Sequence, residues 1–342
     1  MDTKSVLKPA LQARVTGRRS LILLGAAALA RPVWTFAQQQ RIWRIGQLSV
    51  ISRSSYVESG RHEAFLHALR DLGYVNGRNL TLEERYADGK TERLQALADE
   101  LVVAKVDIIM TVGTNAGHAA KRATSTVPIV MAAASDPLAS GLVPSLARPG
   151  GNITGLSLNA TDIGPKNVEL LLLAVPKLSR LAMLLFPDHP VHAARLKVVR
   201  SVAERANVTV LPVEVRKAED FEDGLARMKR DQADALIVPT EALFFSNRLR
   251  LAELANARQL PSMFSYRDAV IAGGLMSYGT DLRDISRQAA SYVDKILKGA
   301  KPGDLPVEEP STLRLVINRK TAQSLGIALS QALLLRADEI IG

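Results

Sequence analysis

Apolar runs of strand length alternate with stretches of helical spacing along most of the chain. In the first half the apolar runs are residues 42–50, 79–86, 106–112 and 128–134, and the helical stretches are 56–72, 91–104 and 115–123. Residues 106–112 read VDIIMTV, nearly all apolar, as expected of a parallel strand covered on both faces. A second set follows, with strands at 180–186, 208–215, 233–238, 262–265 and 275–278 and helices at 167–173, 191–206, 221–229, 243–257 and 266–272. An amphipathic helix at 282–297, a loop at 298–304, a strand at 313–317 and a C-terminal helical segment close the chain. Strand and helix in strict turn predict βαβ units around parallel sheets. The fold class expected is α/β, with two doubly wound lobes. Pro149, Gly150 and Gly151 stand between the sets and are the expected hinge, because glycine reaches backbone angles closed to other residues and proline ends the preceding element.

Residues 1–37 stand outside this rhythm. They hold six basic residues and one acid, then an apolar run at 21–30, then Thr35-Phe36-Ala37 as a small-x-small cleavage site. Ten apolar residues are too few to span a bilayer, which needs about 20. Arg18-Arg19 before Ser20, Leu21 and Ile22 has the form of a twin-arginine export signal, and an ordinary secretory signal is the alternative. The expectation is export to the periplasm with cleavage near Ala37. The segment carries half of the formal charge of +10, so a mild excess of five is spread over the remaining 305 residues. That is a solvated surface and not a nucleic-acid stripe. With no cysteine in the chain, disulfides, thiolate metal sites, cysteine nucleophiles and lipidation of an N-terminal cysteine are excluded. A remainder of this length exceeds what one core usually serves.

Signals for catalysis are sparse. No G-x-G-x-x-G follows a strand, Gly113-Thr-Asn-Ala-Gly117 lacks the Gly-Lys-Ser/Thr ending of a phosphate loop, and neither H-E-x-x-H nor G-x-S-x-G occurs. The five histidines are scattered, and His189 and His192, around Pro190, read as solvated surface. No cofactor and no metal are expected.

The binding signals lie at strand ends, where open α/β sheets meet their ligands. Thr114 and Asn115 follow the third strand and open a helix, whose free N–H groups and positive dipole end suit a carboxylate. Ser135 and Asp136 follow the fourth strand, where Asp136 is placed to meet an ammonium; an Asx turn before Pro137 is its plainer role. Ser49 and Ser52 follow the first strand. In the second set Tyr266 and Tyr278 end strands and offer a flat apolar face with a hydroxyl, or simply core packing.

The segment 121–158, and above all SLARPGGNITGLS within it, resembles the substrate-binding proteins of a bacterial ABC-transporter family related to the tryptophan/tyrosine-type importers. The resemblance runs from about Arg44 to the C-terminus. It implies the type I periplasmic-binding-protein fold, with one lobe at 38–157 plus about 281–300 and the other at 158–280 plus about 301–342. It also implies that Thr240 and Glu241, after the strand ALIV, reach the cleft, with Glu241 a second partner for an ammonium. The function implied is capture of a small solute, an amino acid or similar amphoteric molecule, for transient delivery to an ABC permease by a monomer. An exported α/β enzyme using Asp136 and Glu241 as acid and base is the alternative, as is a ligand-sensing subunit of a membrane receptor.

Overall fold

The computed structural model describes residues 41–158 and 163–342. The signal segment and its cleavage site at Ala37 lie outside the described residues. Strands β1 (Trp43–Ser49), β2 (Leu80–Tyr86), β3 (Ile108–Val112), β4 (Ile129–Ala134) and β5 (Ile153–Ser157) form one sheet in the order β2-β1-β3-β4-β5. All of its neighbouring pairs are parallel. Its crossovers carry α1 (Arg53–Glu58), α2 (Arg61–Asp71), α3 (Leu94–Val103) and α4 (Thr114–Ala123).

The second sheet contains β6 (Arg180–Leu185), β7 (Thr209–Glu214), β8 (Ala235–Val238), β9 (Ser262–Phe264), β10 (Met276–Gly279), β11 (Arg314–Asn318) and β12 (Glu339–Ile341). Their order is β12-β11-β10-β9-β8-β6-β7, and only the β10–β11 pair is antiparallel. Around it lie α5 (Ile163–Ala174), α6 (His192–Arg205), α7 (Asp220–Arg230), α8 (Ala242–Ser246), α9 (Arg248–Ala257) and α10 (Arg267–Ile271). Each sheet thus begins with the same winding: its second strand lies outside its first, and the rest follow on the other side. Apolar side chains cover both faces of both sheets, which is why the central strands read as continuous apolar runs.

After β10 the chain returns to the first sheet as α11 (Leu282–Leu297). Leu282, Ile285, Ala289, Val293 and Ile296 recur at helical spacing and are buried there with Phe65 and Leu69 of α2. The segment beyond α11 stays with the first lobe as far as Glu308. There Glu308 N donates to Gly155 O at 3.0 Å, and Ser157 N donates to Glu308 O at 2.9 Å. Only then does the chain enter β11, followed by α12 (Arg319–Ser324), α13 (Gln331–Leu334) and β12.

Four expectations change. The helix expected at 56–72 is two helices, because Gly60 takes φ +72° between α1 and α2. The helix expected at 243–257 breaks at Asn247, whose side chain donates to Leu243 O at 2.8 Å. The C-terminal helical segment resolves into two short helices and the edge strand β12. The turn at Gly150 and Gly151, with φ +65° and +59°, joins β4 to β5 within one sheet and is not the passage between lobes. Those passages fall after β5, after β10 and after Glu308.

β5 was hidden by its glycine, and the packing explains the residue. Gly155 has φ +130°, and a Cβ there would stand 2.3 Å from the backbone oxygen of Met131, at the irregularity where β4 meets β5. No rotamer relieves a clash with backbone. Gly155→Ala is therefore expected to cost about 4 kcal/mol or more, whereas Gly150→Ala, with open space around it, costs about 1–2 kcal/mol for its positive φ alone. Urea unfolding of both variants checks the ordering, and equal losses would contradict it.

Candidate ligand-binding site

The two sheets present their carboxyl strand ends to a shared cleft. From the first lobe come Val50 and Ile51 after β1, Thr114 and Asn115 after β3, and Ser135 after β4. From the second come His189 after β6, Thr240 and Glu241 after β8, and Tyr266 after β9. The gaps between β1 and β3 and between β6 and β8 are where each winding reverses, so the ligand-binding crevices of two α/β units face each other.

On the first lobe, α4 starts at Gly113 with φ +100° and no side-chain cap. Thr114 does not cap its own helix. Its Oγ1 accepts from Ser135 N at 3.0 Å, which ties the end of β3 to the end of β4. Gly113, Thr114 and Asn115 line the cleft, so the positive end of the α4 dipole lies beside it.

On the second lobe Glu241 is 4% exposed and caps α8. Its Oε1 accepts from Ala242 N at 2.7 Å and Leu243 N at 3.3 Å. Its Oε2 is buried without a hydrogen-bond partner and lies 3.8 Å from His189 Nε2. Burial pushes the Glu241 pKa up to about 7, against the pull of those two backbone donors. His189 Nε2 also stands 3.2 Å from Ser135 Oγ, the contact that bridges the lobes here.

His189 and His192 were expected on the solvated surface; both are buried, with rings stacked at 4.4 Å. His192 Nδ1 accepts from Phe186 N at 2.9 Å, and its Nε2 faces Thr240 O at 3.1 Å, so the ring holds Thr240 in place as the neutral Nε2–H tautomer. Burial and the nearby Arg195 hold its pKa down at about 3. Burial likewise holds His189 well below its ordinary value. His189, His192 and Glu241 lie close enough together to suggest a metal trio. Both His192 nitrogens already serve the backbone, however, so the trio fits a hydrogen-bonded brace and not a ligand set.

The walls are apolar. Phe245 of α8 is 3% exposed, buried among first-lobe residues such as Tyr56 and Leu282, and meets the Tyr266 ring edge-on at 5.2 Å. Thus Thr114, Asn115, Ser135, Thr240, Glu241 and Tyr266 meet in one cleft. The other four candidates do not line it. Ser49 Oγ donates to Ile51 O at 3.2 Å, and Ser52 caps α1 through Ser55 N at 3.2 Å. Asp136 accepts from Ala139 N at 2.9 Å, closing a turn, so the plainer role is the one seen. Tyr278 lies opposite Leu315 of β11 and packs on the second-lobe core. The reading from sequence missed Arg61, His189 and Phe245, which all line the cleft.

These features define a two-lobed solute binder whose candidate site lies between the lobes. Residues 48–341 match the family described as ABC transporter substrate binding protein, and the chain belongs to that family. It is 28% identical over 263 residues, 77% of this chain and 75% of the relative, to a tyrosine-binding protein of Clostridioides difficile (strain R20291). The crystal structure of an ABC domain in complex with L-Trp from Streptococcus pneumonia superposes with TM-score 0.81 at 27% identity, covering 88% of this chain and all of that one. The ligand-free, open structure of a substrate-binding protein with adhesive properties from Clostridium difficile, at 22% identity, gives 0.64 over 88% and 99% of the two chains. Among the described residues no helix is long and apolar enough to cross a membrane.

The buried titratable groups set opposite pH slopes. Glu241 holds a proton in the folded state that the unfolded chain releases above about 4.5, so its contribution to stability falls as pH rises from about 4.5 to 7. His189 and His192 are depressed, so the unfolded chain gains protons there first and stability falls as pH drops below about 6.5. Glu241→Gln, which keeps the acceptor for Ala242, should match the parent near pH 4.5 and exceed it at pH 8 by about 3 kcal/mol, at about 1.4 kcal/mol per pH unit. Denaturant melts at the two pH values check this; a difference independent of pH would show that Glu241 titrates normally.

Proposed function

We propose that the chain captures an amino acid or a similar small amphoteric solute outside the cytoplasmic membrane and hands it to an ABC permease. The observation that carries the reading is the pairing, across one closed cleft, of an uncapped helix N-terminus on one lobe with a buried, unsatisfied carboxyl oxygen on the other. A carboxylate suits the first and an ammonium the second, with apolar walls between for a side chain. Glu241 takes the role that sequence had offered first to Asp136. The named ligands of the relatives, tyrosine and L-Trp, carry both charged groups and support the reading.

Native mass spectrometry of the purified protein should show a co-purified solute of amino-acid size. Titration calorimetry with L-tryptophan and L-tyrosine should find at least one bound, and Glu241→Gln should weaken that binding by about 30-fold or more. That loss corresponds to about 2 kcal/mol, the low end for leaving a buried charge unpaired. Ligand should also make the molecule more compact in small-angle scattering, since closure requires the lobes to meet. Binding without compaction would argue for a rigid scaffold.

Export belongs to the same proposal. Protein recovered from the periplasm should begin at or near Gln38 by N-terminal sequencing. Changing Arg18 and Arg19 together to lysine should block its appearance there, and unaltered export would leave the general secretory route.

A further inference from the structure

Arg61 is the buried charge that the fold leaves without a counterion. Gly60, at φ +72°, breaks the chain between α1 and α2 and sets Arg61 at the first position of α2. The side chain is 3% exposed. Its Nε and Nη2 are buried without a hydrogen-bond partner, and no carboxylate forms an ion pair with it among the described residues. What it does touch is the Tyr56 ring, 5.1 Å from the guanidinium carbon. Asp268 acts on it only through space, and burial holds its pKa below the ordinary value.

For folding alone this is a poor arrangement three times over. The charge is desolvated, it lacks a partner, and it sits at the helix end where the dipole already carries positive charge. A methionine or leucine would pack the same place at lower cost. Such conflicts between a residue and its surroundings gather at functional sites. The side chain lines the cleft together with Thr114 and Asn115 of the same lobe. The two unsatisfied groups, Nε and Nη2, form the side-on edge of the guanidinium, the edge that takes a carboxylate by two parallel hydrogen bonds.

We propose that Arg61 is the carboxylate anchor of the cleft, gripping the ligand through Nε and Nη2 and restricting the substrates to carboxylates. The proposal rests on reading the cleft as the solute site, and deepens it. Arg61 and the N-terminus of α4 belong to the same lobe, so the open protein can bind the carboxylate before the second lobe arrives. Glu241 belongs to the other lobe and reads the rest of the ligand on closure. Recognition is then ordered: the carboxylate is required for capture, and the ammonium is tested afterwards.

The test uses the full chain without its signal segment and three probes. These are L-tryptophan, tryptamine, which lacks the carboxylate, and 3-indolepropionate, which lacks the ammonium. The parent should bind L-tryptophan at least 100-fold more tightly than tryptamine. Arg61→Met should lose at least 100-fold for both carboxylate probes, yet in the ligand-free state melt no lower than the parent. Arg61→Lys, which keeps the charge and loses the fork, should lose about 10-fold. The proposal is overturned if either variant keeps the parent's preference for L-tryptophan over tryptamine. It is also overturned if ligand-free Arg61→Met melts well below the parent, the mark of a purely structural arginine, or if the parent binds neither carboxylate probe at millimolar concentration. Failure of the amphoteric reading looks different: 3-indolepropionate would bind the parent as well as L-tryptophan, with Arg61→Met losing both.

Discussion

The reversal of winding beside β1 and again beside β6 is the constraint from which the cleft follows. A parallel strand must send its chain back over one face of the sheet, and where successive crossovers take opposite faces the loops at the strand ends diverge. One such divergence makes a crevice. Two of them, in lobes joined by three passages of one chain, make a site whose two walls belong to separate bodies. Every polar group that counts here stands within a few residues of such a strand end or, like Arg61, opens the second of the two helices that follow one.

Closure sets hydrophobic gain against the burial of charge. Phe245 leaves its own lobe to sit among Tyr56 and Leu282 of the other, and burying such a ring is worth about 1.5–3 kcal/mol. The Ser135–His189 contact adds roughly 1 kcal/mol, as a buried hydrogen bond between neutral groups. Against these stand a desolvated guanidinium and a carboxyl group whose pKa has risen to about 7. The two sets of terms oppose each other, and in the proposed function the charges of the ligand offset the second. A lobe interface held by apolar contact alone would stay shut whether or not a solute were present.

Much of the fold was legible because periodicity survives packing. The central strands are apolar on both faces, and α11 carries its burial pattern openly in its spacing. β5 was not legible, since a glycine required by the Met131 backbone interrupts its apolar alternation. The site was half legible for a related reason. Strand-end position marked Thr114, Asn115, Ser135 and Tyr266, and family resemblance Thr240 and Glu241, and all six line the cleft. The same rule overreached at Tyr278, because nothing local reveals that β11 pairs antiparallel beside it. Arg61 lies in a polar string, SGRHEA, that reads as a solvated helix start. His189 and His192 sit around a proline and read as a surface turn. Their burial comes from the opposite lobe and from the sheet end, which no local window contains.

The missed residues are the ones that decide the electrostatics of the cleft. With the histidines held neutral, the lining of the cleft carries a positive charge at Arg61 and a variable group at Glu241, while the buried Arg195 stands behind it. Near neutral pH the protonation of Glu241 is closely balanced, so the ligand itself sets it. A solute with a carboxylate and an ammonium favours the ionised form, and each charge then meets its opposite. A solute with a carboxylate alone favours the protonated form, and the proton does the work of the missing ammonium. On the proposed roles of Arg61 and Glu241, the cleft selects firmly for the anionic group and more gently for the cationic one, and its preference between the two ligand types shifts toward the amphoteric one as pH rises.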